Sequence, residues 1–200
     1  MTQWVADVEG GRQRGLRGIA KAWLEVLARP RRFFAAGIAP GDQGPGLTFA
    51  IAIVLVAQGT RFALGTDPYP VLGGQPILSG VFWLAAVSVL VAPVVLHVIG
   101  ALQTVVLAAG TDDRGGVSET VQILAYASAP CVFSGIPVQS LQVAVGLWAG
   151  ALYCLGIAVV HDIRPVRAIL LGVVPAVVAY GYAFRTIIPA QTLLGGLVGV

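Results

Sequence analysis

Hydrophobic positions in this chain fall into long uninterrupted runs separated by short polar breaks. The runs cover residues 47–64, 77–109, 118–136, 141–160 and 168–184. A helix needs about 20 mostly apolar residues to cross a hydrocarbon layer of about 30 Å. The pattern therefore predicts an all-α integral membrane bundle of five transmembrane helices, one per run, forming a single domain over residues 47–200. The second run would reach roughly 50 Å as a straight helix, so a kink at Pro93 and an end projecting beyond Gly100 are expected. Ser118 is placed to cap the third helix, with Glu119 in its first turn. Pro130 interrupts that helix and Pro137 closes it, which leaves carbonyls for neighbouring helices to satisfy. Arg61, near the far end of the first span, is expected to snorkel outward. The apolar tail after Thr186 is too short to span.

The arm of residues 1–46 has a different rhythm. Leu16, Ile19, Ala20, Trp23 and Leu27 recur at helical spacing while Arg17, Lys21 and Glu25 take the other side, which predicts an amphipathic helix over 16–34. Pro30 should end or kink it, and the Gly- and Pro-dense stretch 37–46 reads as a linker. A basic face with Trp23 suits the membrane interface, and docking onto the bundle is the alternative. Arg29, Arg31, Arg32, Lys21 and Trp23 are candidate contacts for lipid or a partner protein. The arm lacks the apolar core and cleavage site of a secretory signal, so it is expected to be retained.

Composition sharpens this reading. Of 200 residues, 57% are hydrophobic and 10% charged, against roughly 25% charged in a soluble domain, which excludes an ordinary soluble globule. The net charge of +3 comes from basic residues flanking apolar spans, a pattern that serves topology and anionic headgroups rather than nucleic acid. One Lys against eleven Arg points to a prokaryotic source. Ten of the twelve Lys and Arg fall on the arm's side of five spans, leaving Arg61 and Arg185 opposite. By the positive-inside rule the N-terminus is expected in the cytoplasm and the C-terminus outside a cell membrane that the chain crosses several times.

Candidate chemistry is sparse. His97, His161 and Asp162 are expected at one level and could form a polar cluster, since histidine and carboxylate ligate metals. No pair of them shares a helix with ligand spacing, so no metal or cofactor is expected. Paired carboxylates, a nucleophile elbow, a phosphate loop and HExxH are all missing from the sequence, so it is not read as an enzyme. Cys131 and Cys154 should lie at different depths and serve packing. Gly146 and Gly150 form a GxxxG step, and Gly172 with Ala176 a similar ridge. Such ridges pack helices internally or join two copies as a homodimer.

The order of short motifs carries one further inference. RPRRFF precedes the first span, AYASAP lies in the third, IP follows, and the fourth ends in His161 before RPVRAIL. This order resembles the Yip domain family, the Ypt/Rab-interacting membrane proteins and their prokaryotic relatives, over residues 29–184. Pro30, Arg31 and Phe34 match the family's pre-membrane element, Tyr126 and Pro130 its tyrosine-to-proline step, and Pro137 the next proline. His161, Arg167 and Ala168 match the element between the last two spans. Eukaryotic relatives are associated with Rab-type GTPases and vesicle traffic. The resemblance implies the fold, the orientation and a non-enzymatic membrane role, with scaffold or adaptor as the first expectation. The alternative is a small transporter, lipid-moving protein or channel, suggested by Pro93 and Pro130 as helix breakers around a central site.

Overall fold

Proline or glycine marks most of the points where a helix starts or stops. The computed structural model describes residues 15–110 and 116–198. Its helices are α1 (Gly15–Ala28), α2 (Pro30–Gly37), α3 (Gly44–Ala63), α4 (Pro76–Gly110), α5 (Val117–Ala127), α6 (Gln139–Val160), α7 (Pro165–Ala183) and α8 (Ile187–Val198). Proline occupies the first turn of α2, α3, α4 and α7, where a missing N–H costs nothing and the fixed φ is already helical. No strand occurs among the described residues.

Four helices, α3, α4, α6 and α7, are long and apolar enough to cross a membrane. Their outer faces expose Leu90, Val105, Leu147 and Leu170, a surface that lipid accepts and water would penalise. The apolar runs thus located these helices to within a few residues. The third run behaves differently. Its α-helix stops at Ala127 after 11 residues, and the chain tightens into a 3-10 turn over Ala129–Phe133. Pro130 has no N–H and its ring crowds the carbonyl four residues back, which disfavours a regular α-helix through it. The expected Ser118 cap is also corrected: Gly116 holds the N-cap position and no side chain bonds there, although Glu119 does lie in the first turn.

This broken segment is the centre of the molecule. Every residue from Thr120 to Cys131 is buried. It runs parallel beside α3, with Gly46 against Gln122 at one end and Gly135 against Ala57 and Thr60 at the other. Helices α4 and α6 also pack on it, and from α7 the Tyr180 hydroxyl donates to the Leu124 carbonyl at 2.9 Å. The Ser128 hydroxyl donates to the Ala125 carbonyl at 2.6 Å, satisfying an acceptor at the break.

The expected kink at Pro93 takes a specific form. Residues Ala86–Val91 of α4 are π-helical, and the Ala92 amide bonds the Val87 carbonyl five residues back. Widening the helix by one residue per turn accommodates a proline that can neither donate nor fit the regular i−4 spacing. A second π-helical stretch, Val177–Ala183, follows Pro175 in α7. The arm's predicted helix splits at Arg29 into α1 and α2. Within α1, Ala22 and Val26 are fully buried against the bundle while Leu16 is 84% exposed.

Candidate functional site

Two assemblies close the two ends of the bundle. At the arm end, α2 feeds its aromatic residues inward. Phe33 meets the Tyr126 ring edge-on at 4.8 Å, and Phe49 of α3 approaches the same ring at 5.1 Å. Phe34 lies over Gly156 of α6, where an added Cβ would stand 3.2 Å from Phe34 and 2.5 Å from Ile123. The Gln122 side chain accepts from the Ala39 amide at 3.1 Å and donates to the Ala39 carbonyl at 2.7 Å, which clamps the linker to α5. Farther along, the Trp23 indole donates to the Ala129 carbonyl at 2.9 Å and stacks edge-on against Phe133. Ala129 begins the 3-10 turn, so the arm itself satisfies an acceptor beside the break.

The structure therefore gathers Phe34 and Tyr126 into one buried cluster, with Pro30 at the start of α2 and Pro130 in the buried break. His161 is 2% exposed just past α6; burial lowers its pKa, opposed in part by the Glu119 carboxylate. Pro137, at the other end, is exposed, as are Arg167 and Asp162. Asp162 adopts φ 45°, the left-handed conformation common for Asp at a helix end. Arg29, Arg31 and Arg32 are exposed along α2, with Arg29 3.8 Å from Glu25. Lys21 is half-buried on α1. His97 is exposed, its Nδ1 2.7 Å from the Pro93 carbonyl and its Nε2 2.8 Å from Gln43. Thus His97 and His161 engage different partners, and no group of three His, Cys, Asp or Glu able to hold a metal occurs among the described residues. Cys131 and Cys154 are free thiols.

At the far end, Arg61 turns inward and is only 7% exposed, which corrects the expectation that it snorkels. Its Nη2 donates to the Phe184 carbonyl at 2.6 Å and to the Ser134 hydroxyl and carbonyl at 3.1 and 3.3 Å; its Nη1 donates to Gln58 at 3.2 Å. Gln58 in turn donates to Asp67 at 2.6 Å, and Asp67 pairs with Arg185 at 2.6 Å. Burial pushes the Asp67 carboxyl up, but the Gln58 bond and Arg185 more than offset it and hold its pKa below the usual range. The Arg61 guanidinium thus joins α3, the end of the 3-10 turn and the end of α7. Gln58, Asp67, Ser134 and Gln122 escaped the sequence reading. A usable signal existed for two of them: Gln58 and Gln122 interrupt apolar runs, and polar groups at membrane depth are functional or structural candidates by default.

Long apolar helices wrapped around a buried, proline-broken segment, with an amphipathic arm docked on it, define a helical integral membrane protein. The Yip1 domain profile matches residues 24–185, a stretch that takes in both end assemblies except Trp23. The chain belongs to the Yip1 domain family. Comparison with curated proteins and with solved structures gave no match.

Proposed function

We propose that this Yip1-domain protein is a non-enzymatic membrane scaffold or adaptor that presents a basic edge of its arm to another protein or to anionic lipid. One observation carries this reading. Trp23, Phe33 and Gln122 tether the arm to the bundle, while Arg29, Arg31 and Arg32 are exposed on α2 and its threshold. A basic edge held in fixed register is a docking surface, and cations near an anionic leaflet each contribute about 1 kcal/mol. Trp23, a candidate lipid contact, serves instead as the inward tether, and Lys21 stays with the arginines as a candidate contact. We assign the broken segment α5 with its 3-10 turn as a fifth crossing, supported by its course beside α3. Five crossings put the arm in the cytoplasm and the C-terminus outside the cell membrane.

Pull-down with mass spectrometry from native membranes, comparing the full chain with R29Q/R31Q/R32Q, tests the reading, alongside flotation with anionic vesicles. Loss of a partner or of vesicle binding in the variant is expected. Identical partners and identical flotation would remove the adaptor role.

A small transporter, lipid-moving protein or channel is the second reading, favoured by one cavity. It measures about 100 Å³ and is lined by Gln58 and Arg61 together with Val91 and Tyr180 from the two π-helical stretches. Such π turns concentrate at functional sites. Gln103, fully buried with neither amide atom hydrogen-bonded, adds a polar group of the kind that marks pathways. Proteoliposome flux abolished by Arg61→Gln would establish this reading; no flux of ion, solute or lipid would end it.

A further inference from the structure

A cavity opens between α6 and α7 and runs from the arm end to Thr186, beside the far-end assembly. It holds about 520 Å³. One wall is the small-residue face of α6, with Gly146, Gly150, Cys154 and Ala158; the other is Ile169 and Val173 of α7. The GxxxG step is thus divided in its use. Gly146 packs against Thr186, whereas the nearest atom to a Cβ at Gly150 would be that of Ala176 at 3.9 Å, so Gly150 is the floor of an open cleft.

The shape of the cleft selects its occupant. From Val143 to Ala158 it follows α6 for roughly 22 Å at 1.5 Å per residue. A methylene chain about 5 Å across, given carbon contacts at about 4 Å, fills roughly 430 Å³ over that length. A helix about 10 Å across would need roughly 1,700 Å³, more than the space present. At the far end α8 crosses the cleft with Ile187 and Ala190. At the arm end the cleft is lined by Pro165, which stands between the exposed Arg164 and Arg167. An apolar slot lined by α8 at one end, with the exposed Arg164 next in sequence to its Pro165 lining at the other, matches a lipid tail beneath an anionic headgroup.

We propose that this cleft is a specific phospholipid site, one acyl chain lying along Gly150, Cys154 and Ala158 and its anionic headgroup meeting Arg164 and Arg167. The site uses none of the arm residues, so its fate in an experiment is separate from that of the adaptor reading.

Native mass spectrometry of the full chain in mild detergent tests it, with phosphatidylglycerol and phosphatidylcholine of identical chains added in equal amounts. One phospholipid per chain is expected, with about thirtyfold preference for phosphatidylglycerol, the size that two cation contacts near the headgroup confer. Gly150→Leu should lose the bound lipid, and R164Q/R167Q should keep a lipid without the preference. Should Gly150→Leu fail to accumulate, Ile169→Trp at a half-exposed position on the other wall blocks the same cleft. Wild-type protein without lipid, or with lipid that neither blocking variant displaces, overturns the proposal. A dimer mass that Gly150→Leu abolishes would also overturn it, giving the cleft to a second copy of the chain.

Discussion

The two ends of the bundle are closed by different physics. At the far end one guanidinium satisfies two carbonyls and a hydroxyl from two distant parts of the chain, Ser134 and Phe184, with Gln58, Asp67 and Arg185 behind it. At the arm end the work is spread over ring contacts among Phe33, Phe49 and Tyr126, a glutamine clamp and an indole tether. A buried charge cannot be partly removed, because what remains is a set of orphaned acceptors. Aromatic contacts can be lost one at a time. The far end should therefore fail abruptly and the arm end by degrees.

The strongest challenge to that contrast is Arg61→Leu. It strands the Phe184 carbonyl, leaves the Ser134 carbonyl with only the Gln142 amide and should cost about 3–5 kcal/mol, read as loss of resistance to denaturant in detergent micelles. Tyr126→Leu comes next: removing two ring contacts should cost about 1–3 kcal/mol by the same measurement. If it equalled Arg61→Leu, the arm end would be as concentrated as the far end and the comparison would break. Trp23→Phe keeps the ring but deletes the bond to the Ala129 carbonyl, for about 1 kcal/mol. Its more specific signature is faster proteolysis of α1, since this bond is the tether that reaches the 3-10 turn.

Titration separates the ends further. The buried His161 has a folded pKa below its usual value, so between that value and about 6.5 the unfolded chain binds the extra proton. Stability should then rise as pH rises through this window and fall on acidification, a slope that His161→Gln removes. Asp67 lies below the usual carboxylate range. Its stabilisation is full above about 3.9 and is lost only as pH falls through the folded value. Between pH 5 and 7 the arm end should respond and the far end should not. The smallest effect is reserved for R29Q/R31Q/R32Q, expected to change stability by less than about 0.5 kcal/mol. A larger loss by denaturant titration would make those arginines part of the fold rather than a presented edge.

Much of this architecture was legible in the amino-acid order. The length of an apolar run is a one-dimensional property, and hydrocarbon thickness converts it directly into a helix; hence α3, α4, α6 and α7 fell where the runs predicted. Pro30 announced its break for an equally local reason, the missing donor and the fixed φ, and Pro93 follows a π-helical stretch in a helix that runs on. The candidate site was less legible. Phe34 and Tyr126 were named as separate motifs, and nothing local said that they enter one buried cluster.

Three features were decided by tertiary structure alone. Arg61 turns inward because its acceptors exist only in the folded bundle, on residues 73 and 123 positions away. Trp23 docks because the acceptor it reaches lies 106 positions away beside the turn at Pro130. The third run becomes a buried, broken core segment because its neighbours surround it and Tyr180 supplies a donor from 56 positions away. Sequence fixes how far a helix can run; where a polar side chain points depends on which distant backbone groups arrive beside it, and only the assembled bundle brings them there.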